Sequence, residues 1–128
     1  MDNNNVEYLK KNLKVYIADI APSRCKREEL DTRMEELEKL VYTYNGIVIM
    51  KKVQKKYLPD YNTYIWGWKL EEIMMEMEEE KPDILIIWNI LKPHQVYNVN
   101  EKLRPLWVKA WDRVDLILKI FEKNAISI

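Results

Sequence analysis

Two tryptophans, Trp66 and Trp68, stand either side of Gly67 in the stretch TYIWGWKLEEI. Indoles on a loop stack on exposed bases, worth about 1–3 kcal/mol per base, and they also anchor protein interfaces. The position offers little to a phosphate. A glycine-rich turn before a helix lets phosphate reach backbone amides, and two indoles obstruct that approach. Cations and rings accompany the pair. Lys55, Lys56, Tyr57, Tyr61, Tyr64 and Lys69 are its close neighbours in sequence, while Arg24, Lys26, His94, Gln95 and Arg113 fall on other predicted loops. Aromatic residues among cations resemble a single-stranded RNA surface. Two plainer readings compete: the indoles cap the core, since Trp is highly buried on average, and the charges form a solvated rim.

Other chemistry is sparse. His94 is the sole histidine and Cys25 the sole cysteine, so neither has a partner at zinc-ligand spacing. A Cys–His nucleophilic pair would need these two isolated residues to meet in space. Asp19 and Asp112 sit near predicted strand ends, where paired acids could hold Mg²⁺ with a phosphate, but no Ser/Thr and Lys set supports them. Asp112 reads better as the N-cap of the last helix, with Arg113 bonding loop carbonyls. Glu78, Glu79 and Glu80 read as a solvated helix end. No catalytic constellation, cofactor or metal is expected.

The elements that must position these residues follow from periodicity. LKVYIADI (13–20) and IVIMKKV (47–53) read as strands, rich in β-branched and aromatic residues. Between them, Leu30, Met34, Leu37, Val41 and Tyr44 mark one face of a helix over 26–44. Asn45-Gly46 closes it, with glycine in the left-handed cap conformation. A loop over 54–68 precedes a helix over 69–81 carrying Leu70, Ile73, Met74 and Met77, which Pro82 ends. DILIIW (83–88) is a near-continuous apolar run that suits a central parallel strand. Pro93 opens a third helix. LWVKAW (106–111) reads as the fourth strand, with Trp107 and Trp111 on one face. Residues 112–123 form the last helix, with Val114, Ile117, Leu118 and Phe121 inward.

The order β-α-β-α-β-α-β-α predicts an α/β fold: a four-stranded parallel sheet with helices on both faces. In such sheets ligands bind beyond the carboxyl ends of the strands, where the loops 21–25, 54–68, 89–94 and 111–113 meet. Residues 1–12 are read as a flexible amino terminus and 13–128 as a single domain.

Composition bounds the rest. Lys plus Arg equals Asp plus Glu, at 21 each in 128 residues, so no net field draws the molecule to DNA or a membrane. No apolar run approaches the roughly 20 residues that span a bilayer, and the amino terminus lacks a signal-peptide core. A single cysteine fits a reducing compartment. A cytoplasmic location is expected. Few glycines beside abundant Lys, Glu and Ile hint at a thermophilic source.

Three ordered motifs make this sequence resemble the amino-terminal domain of the HflX GTPases. Thr63, Tyr64, Ile65, Lys69, Glu71 and Glu72 match a Thr-Tyr-Ile-Gly-x-Gly-Lys motif and its following paired glutamates. Leu91, Pro93 and Gln95 match Leu-Ser-Pro-x-Gln. Asp112, Arg113, Leu116, Ile117, Leu118, Ile120 and Phe121 match an Asp-Arg pair and the helix after it. The resemblance spans about residues 13–125. It implies a four-stranded parallel α/β domain that reaches ribosomal RNA, in a family that binds the large ribosomal subunit. This sequence departs from the family at Trp66 and Trp68 (glycines there), Lys92 (serine), Val114 (threonine) and Asp115 (glycine). With Gly46 and Gly67 its only glycines, it can hold no G-x-x-x-x-G-K-[ST] loop. The expectation is a stand-alone, non-enzymatic domain. It would bind a ribosome or RNA through Lys55, Lys56, Tyr57, Tyr61, Tyr64, Trp66, Trp68, Lys69, His94, Gln95 and Arg113. The alternative is a protein-interaction module, either a homodimer or one with a different protein partner.

Overall fold

A computed structural model describes residues 12–55, 58–65 and 67–126. Lys56, Tyr57, Trp66 and the expected flexible amino terminus up to residue 11 lie outside the described residues. Strands and helices alternate: β1 (Leu13–Ala21), α1 (Arg27–Thr43), β2 (Gly46–Lys55), α2 (Gly67–Glu80), β3 (Ile84–Ile87), α3 (Pro93–Leu103), β4 (Lys109–Asp112) and α4 (Arg113–Ile126). A 3-10 turn, Arg104–Leu106, joins α3 to β4. The strands form one parallel sheet in the order β2-β1-β3-β4.

Alternation along each strand divides the core in two. Tyr16, Ala18 and Ile20 of β1 with Leu85 and Ile87 of β3 meet Leu70, Ile73 and Met77 of α2 and Val99 and Leu103 of α3. Val15, Ile17, Ile84 and Ile86 face the other way, onto Met34, Leu37 and Val41 of α1 and Leu116 of α4. The result is a three-layer α/β/α sandwich. The central strand β3 is buried at all four positions, as its unbroken apolar run predicts.

Four expectations need correction. At the end of α1 it is Asn45, not Gly46, that takes positive φ, at 83°. Asparagine tolerates this region because its short amide can bond locally. Gly46 serves close approach instead: a Cβ there would lie 2.9 Å from Val41 Cγ1 and 3.1 Å from Val15 Cγ2. Second, α2 begins at Gly67, so Trp68 is already helical. Third, β4 begins at Lys109. Pro105 lies in the 3-10 turn, and Trp107 ends that turn with left-handed backbone at φ 61°. Trp107 therefore does not share a strand face with Trp111, which is half-buried and packs edge-on against Tyr44 at 5.6 Å. Fourth, α4 sits in another rotational phase. Leu116 is buried, whereas Val114, Leu118 and Phe121 are exposed.

Candidate functional site

The β2–α2 loop is folded by its own polar groups. Asp60 and Tyr64 exchange backbone hydrogen bonds, N to O, at 3.1 and 3.0 Å. Inside this closure Asp60 Oδ1 accepts from the backbone N–H groups of Asn62 and Thr63, at 2.8 and 3.1 Å. Tyr64 takes φ 68° to complete the turn, and its side chain packs on the core beside α2.

Helix α3 then clamps this loop. Gln95 Nε2 donates to the carbonyls of Asp60 and Tyr61, at 3.3 and 3.0 Å. His94 Nε2 bonds the Tyr61 carbonyl at 3.0 Å, and Asn98 Nδ2 donates to the Asn62 carbonyl at 2.9 Å. The Gln95 amide also works in the opposite direction: its Oε1 accepts from Lys92 N at 2.8 Å, capping α3. The Lys92 ammonium holds no acceptor to return, so only half of a capping box stands here. Gln95 is only 5% exposed. His94 and Gln95, both expected at the binding edge, brace the loop there. The element they brace presents Tyr61, 72% exposed, with its ring against His94 at 5.0 Å.

Trp68 projects from the first turn of α2 and is 58% exposed, so one of the two opening indoles does not fold into the core. The Lys69 ammonium lies 5.7 Å from its ring centroid and pairs with Glu72 at 3.4 Å. Lys55 is exposed at the end of β2, and Arg24, Lys26 and Lys92 are exposed on the neighbouring loops of the same edge.

Arg113 stands apart from this group, on the α1/α4 side of the sheet. Its Nε donates to the Trp88 carbonyl at 3.0 Å, and its guanidinium lies 4.0 Å from the Trp88 ring centroid. Arg33 approaches the same ring at 5.2 Å and donates to Asp19 Oδ1 at 2.6 Å. Burial pushes the Asp19 carboxyl above its ordinary range, against the opposing pull of Arg33 and Arg113. Arg113 thus bonds a loop carbonyl, as expected, and adds a ring contact that was not expected. Asp112 caps α4 as expected. Its Oδ1 accepts from Asp115 N at 2.9 Å, and Asp115 Oδ2 accepts from Asp112 N at 3.0 Å. Asp112 Oδ2 also accepts from Leu91 N at 3.0 Å, so both its oxygens are engaged by backbone amides.

The sheet order reverses direction between β1 and β3, which is where open sheets of this kind commonly hold ligands. Here the Asn89 amide fills that place. Its Nδ2 donates to Ile20 O at 2.8 Å and its Oδ1 accepts from Ile20 N at 2.9 Å. Sequence reasoning missed Asn89, Arg33 and Trp88. The one signal was a polar amide directly after a buried strand, a position the reading assigned to a loop.

Residues 31–122 match the model of a family described as GTP-binding GTPase N-terminal. The chain belongs to this GTPase N-terminal family. Among relatives, the GTPase HflX of Methanocaldococcus jannaschii is 32% identical over 103 residues, covering 80% of this chain and 23% of that protein. The GTPase HflX of Thermococcus kodakarensis is 38% identical over 94 residues, covering 72% of this chain and 20% of that protein. A GTP-binding protein from the hyperthermophilic archaeon Sulfolobus solfataricus, solved with GDP, superposes with a TM-score of 0.59 at 29% identity. That match covers 85% of this chain and 30% of that structure. The chain thus spans between a fifth and a third of the length of these proteins and corresponds to their N-terminal region. The match also takes in most of α1 and all of β2, well ahead of the first recognisable motif at Thr63. Among the described residues no helix is long and apolar enough to cross a membrane.

Proposed function

We propose that this GTPase N-terminal domain is a non-enzymatic binding module that contacts ribosomal RNA through the carboxyl edge of its sheet. The observation that carries this reading is one exposed indole and one exposed phenol, Trp68 and Tyr61, on an edge with exposed Lys55, Arg24, Lys26 and Lys92. Rings supply stacking and cations supply phosphate neutralisation. Membership of a GTPase N-terminal family with HflX relatives supports a ribosomal partner. The test is co-sedimentation with large ribosomal subunits at several salt concentrations, for the native chain, Trp68→Ala, Tyr61→Ala and the Trp66/Trp68 double alanine. Binding should weaken with salt and fall about tenfold or more in each single variant, from the stacking contribution of one ring. Unaltered binding in all three variants, with native thermal unfolding, refutes the reading.

A second reading is a self-associating protein module. It is supported by Val114, Leu118 and Phe121, which form an exposed apolar stripe along α4. Stripes of this kind are commonly closed by another protein surface. A strict monomer by sedimentation across a wide concentration range removes self-association.

A further inference from the structure

The opposite, amino-terminal edge of the sheet carries a concave surface. A groove of about 490 Å³ lies between the end of α2 and the 3-10 turn, lined among others by Met77, Glu78, Lys81, Pro82, Pro105 and Trp107. Trp107 is 91% exposed. Both walls rest on left-handed backbone, Lys81 at φ 50° and Trp107 at φ 61°. Each residue ends a helical turn: Lys81 N donates to Met77 O at 2.8 Å and Trp107 N to Arg104 O at 3.0 Å.

Glycine is the ordinary occupant of such a cap, because an L side chain there costs about 1–2 kcal/mol. At Trp107 that strain brings no burial in return. The chain holds a large apolar ring in water, on a backbone that glycine would fit better. Such an outlier, beside a groove, points to a contact surface.

The charges of the groove select the partner. Glu78 and Asp83 line it against one cation, Lys81. The Lys14 ammonium donates to the Glu80 carbonyl at 3.2 Å and answers the negative end of α2, so the two carboxylates alone make the groove acidic. Glu80 is turned away, accepting from the Tyr16 hydroxyl. Carboxylates beside an indole repel phosphate but suit a guanidinium, which stacks on the ring and pairs with the acid.

The geometry points to a docking groove for an arginine-bearing segment of a protein partner, with the guanidinium laid on Trp107 and paired with Glu78. This surface is separate from the carboxyl edge and does not depend on RNA binding there.

The test is fluorescence anisotropy with a labelled octapeptide of alternating arginine and alanine, beside lysine and glutamate versions. The arginine peptide should bind saturably and more tightly than the lysine peptide, and the glutamate peptide should not bind. Trp107→Gly should weaken arginine-peptide binding about tenfold, with no loss of thermal stability because glycine fits the left-handed turn. Glu78→Lys should weaken it as well, while Trp68→Ala at the other edge leaves it unchanged. Undiminished binding in Trp107→Gly overturns the proposal, as does equal binding of the glutamate peptide or no signal at millimolar protein. A dimer that Trp107→Gly dissociates replaces the arginine segment with a second copy, and equally overturns it.

Discussion

Gly46 shows how a single hydrogen in place of a methyl positions two elements. Its α-carbon lies where the end of α1 meets the start of β1, and both obstructing atoms belong to valines, whose branched side chains are stiff at χ1. Neither can swing aside without leaving the core. Gly46→Ala should therefore destabilise the domain by about 1–3 kcal/mol, the usual cost of overpacking, as read from urea denaturation. A stabilised variant would mean that only unfolded-chain entropy matters there.

Asp115 is a second residue-scale case. Its carboxylate caps the Asp112 amide, but burial and the neighbouring Asp112 charge push its pKa above the ordinary range. A carboxyl raised in the folded state stabilises that state when protonated. The gain is complete below the unfolded value of about 3.9 and is lost as pH rises through the folded value. Asp115→Asn keeps an oxygen to accept from Asp112 N and removes the charge. The stability of the variant relative to native should thus improve as pH rises from about 3 to about 7. A difference that moves the other way between acid and neutral urea melts would show that the Asp115 charge is favourable.

At the scale of elements, α4 is where sequence and structure part. VDLILKIF is apolar at almost every position, so two helix phases fit a 3.6-residue period equally well. The phase is set by Asp112 and Arg113. The cap fixes where the helix starts, and the Arg113–Trp88 contact fixes its rotation, which turns Leu116 inward. No local pattern contains that contact. Leu116→Ala should cost about 2–5 kcal/mol and Leu118→Ala about 0.5 or less. The phase first read from periodicity requires the reverse ranking in denaturant melts. The other elements were legible because punctuation agreed with period: Pro82 and Pro93 bound α2 and α3, and an uninterrupted ILII marks β3. Pro105 was the overlooked sign. A proline so close to an apparent strand argues against including the residues beside it, and β4 begins only at Lys109. The edge itself was legible, since parallel topology gathers the loops there. Which of its side chains remain available was not. His94, Gln95 and Arg113 have the composition of a binding surface, and only tertiary contacts reveal that they also hold the loop and Trp88.

At the scale of the whole molecule, the sheet separates two surfaces of different chemistry. Trp68 and Tyr61 stand at the carboxyl edge, and Trp107 stands at the amino edge. Strand β1, nine residues long, runs between them, and at about 3.3 Å per residue it spans roughly 30 Å. That distance exceeds the screening length of about 8 Å at physiological salt and the 7–10 Å or so within which mutational effects couple. Strand β3 between the edges is buried at all four positions, and close-packed interiors of this kind do not deform continuously. Trp68→Ala and Trp107→Gly should therefore act independently. The double variant should show the ribosome affinity of the first and the arginine-peptide affinity of the second, each within about 0.5 kcal/mol of the single variants. A larger departure, measured by titrating one ligand at saturating levels of the other, would require an element with two arrangements that both edges sense. The β2–α2 loop is the place to seek it, because it is held to α3 by side-chain contacts rather than by sheet pairing.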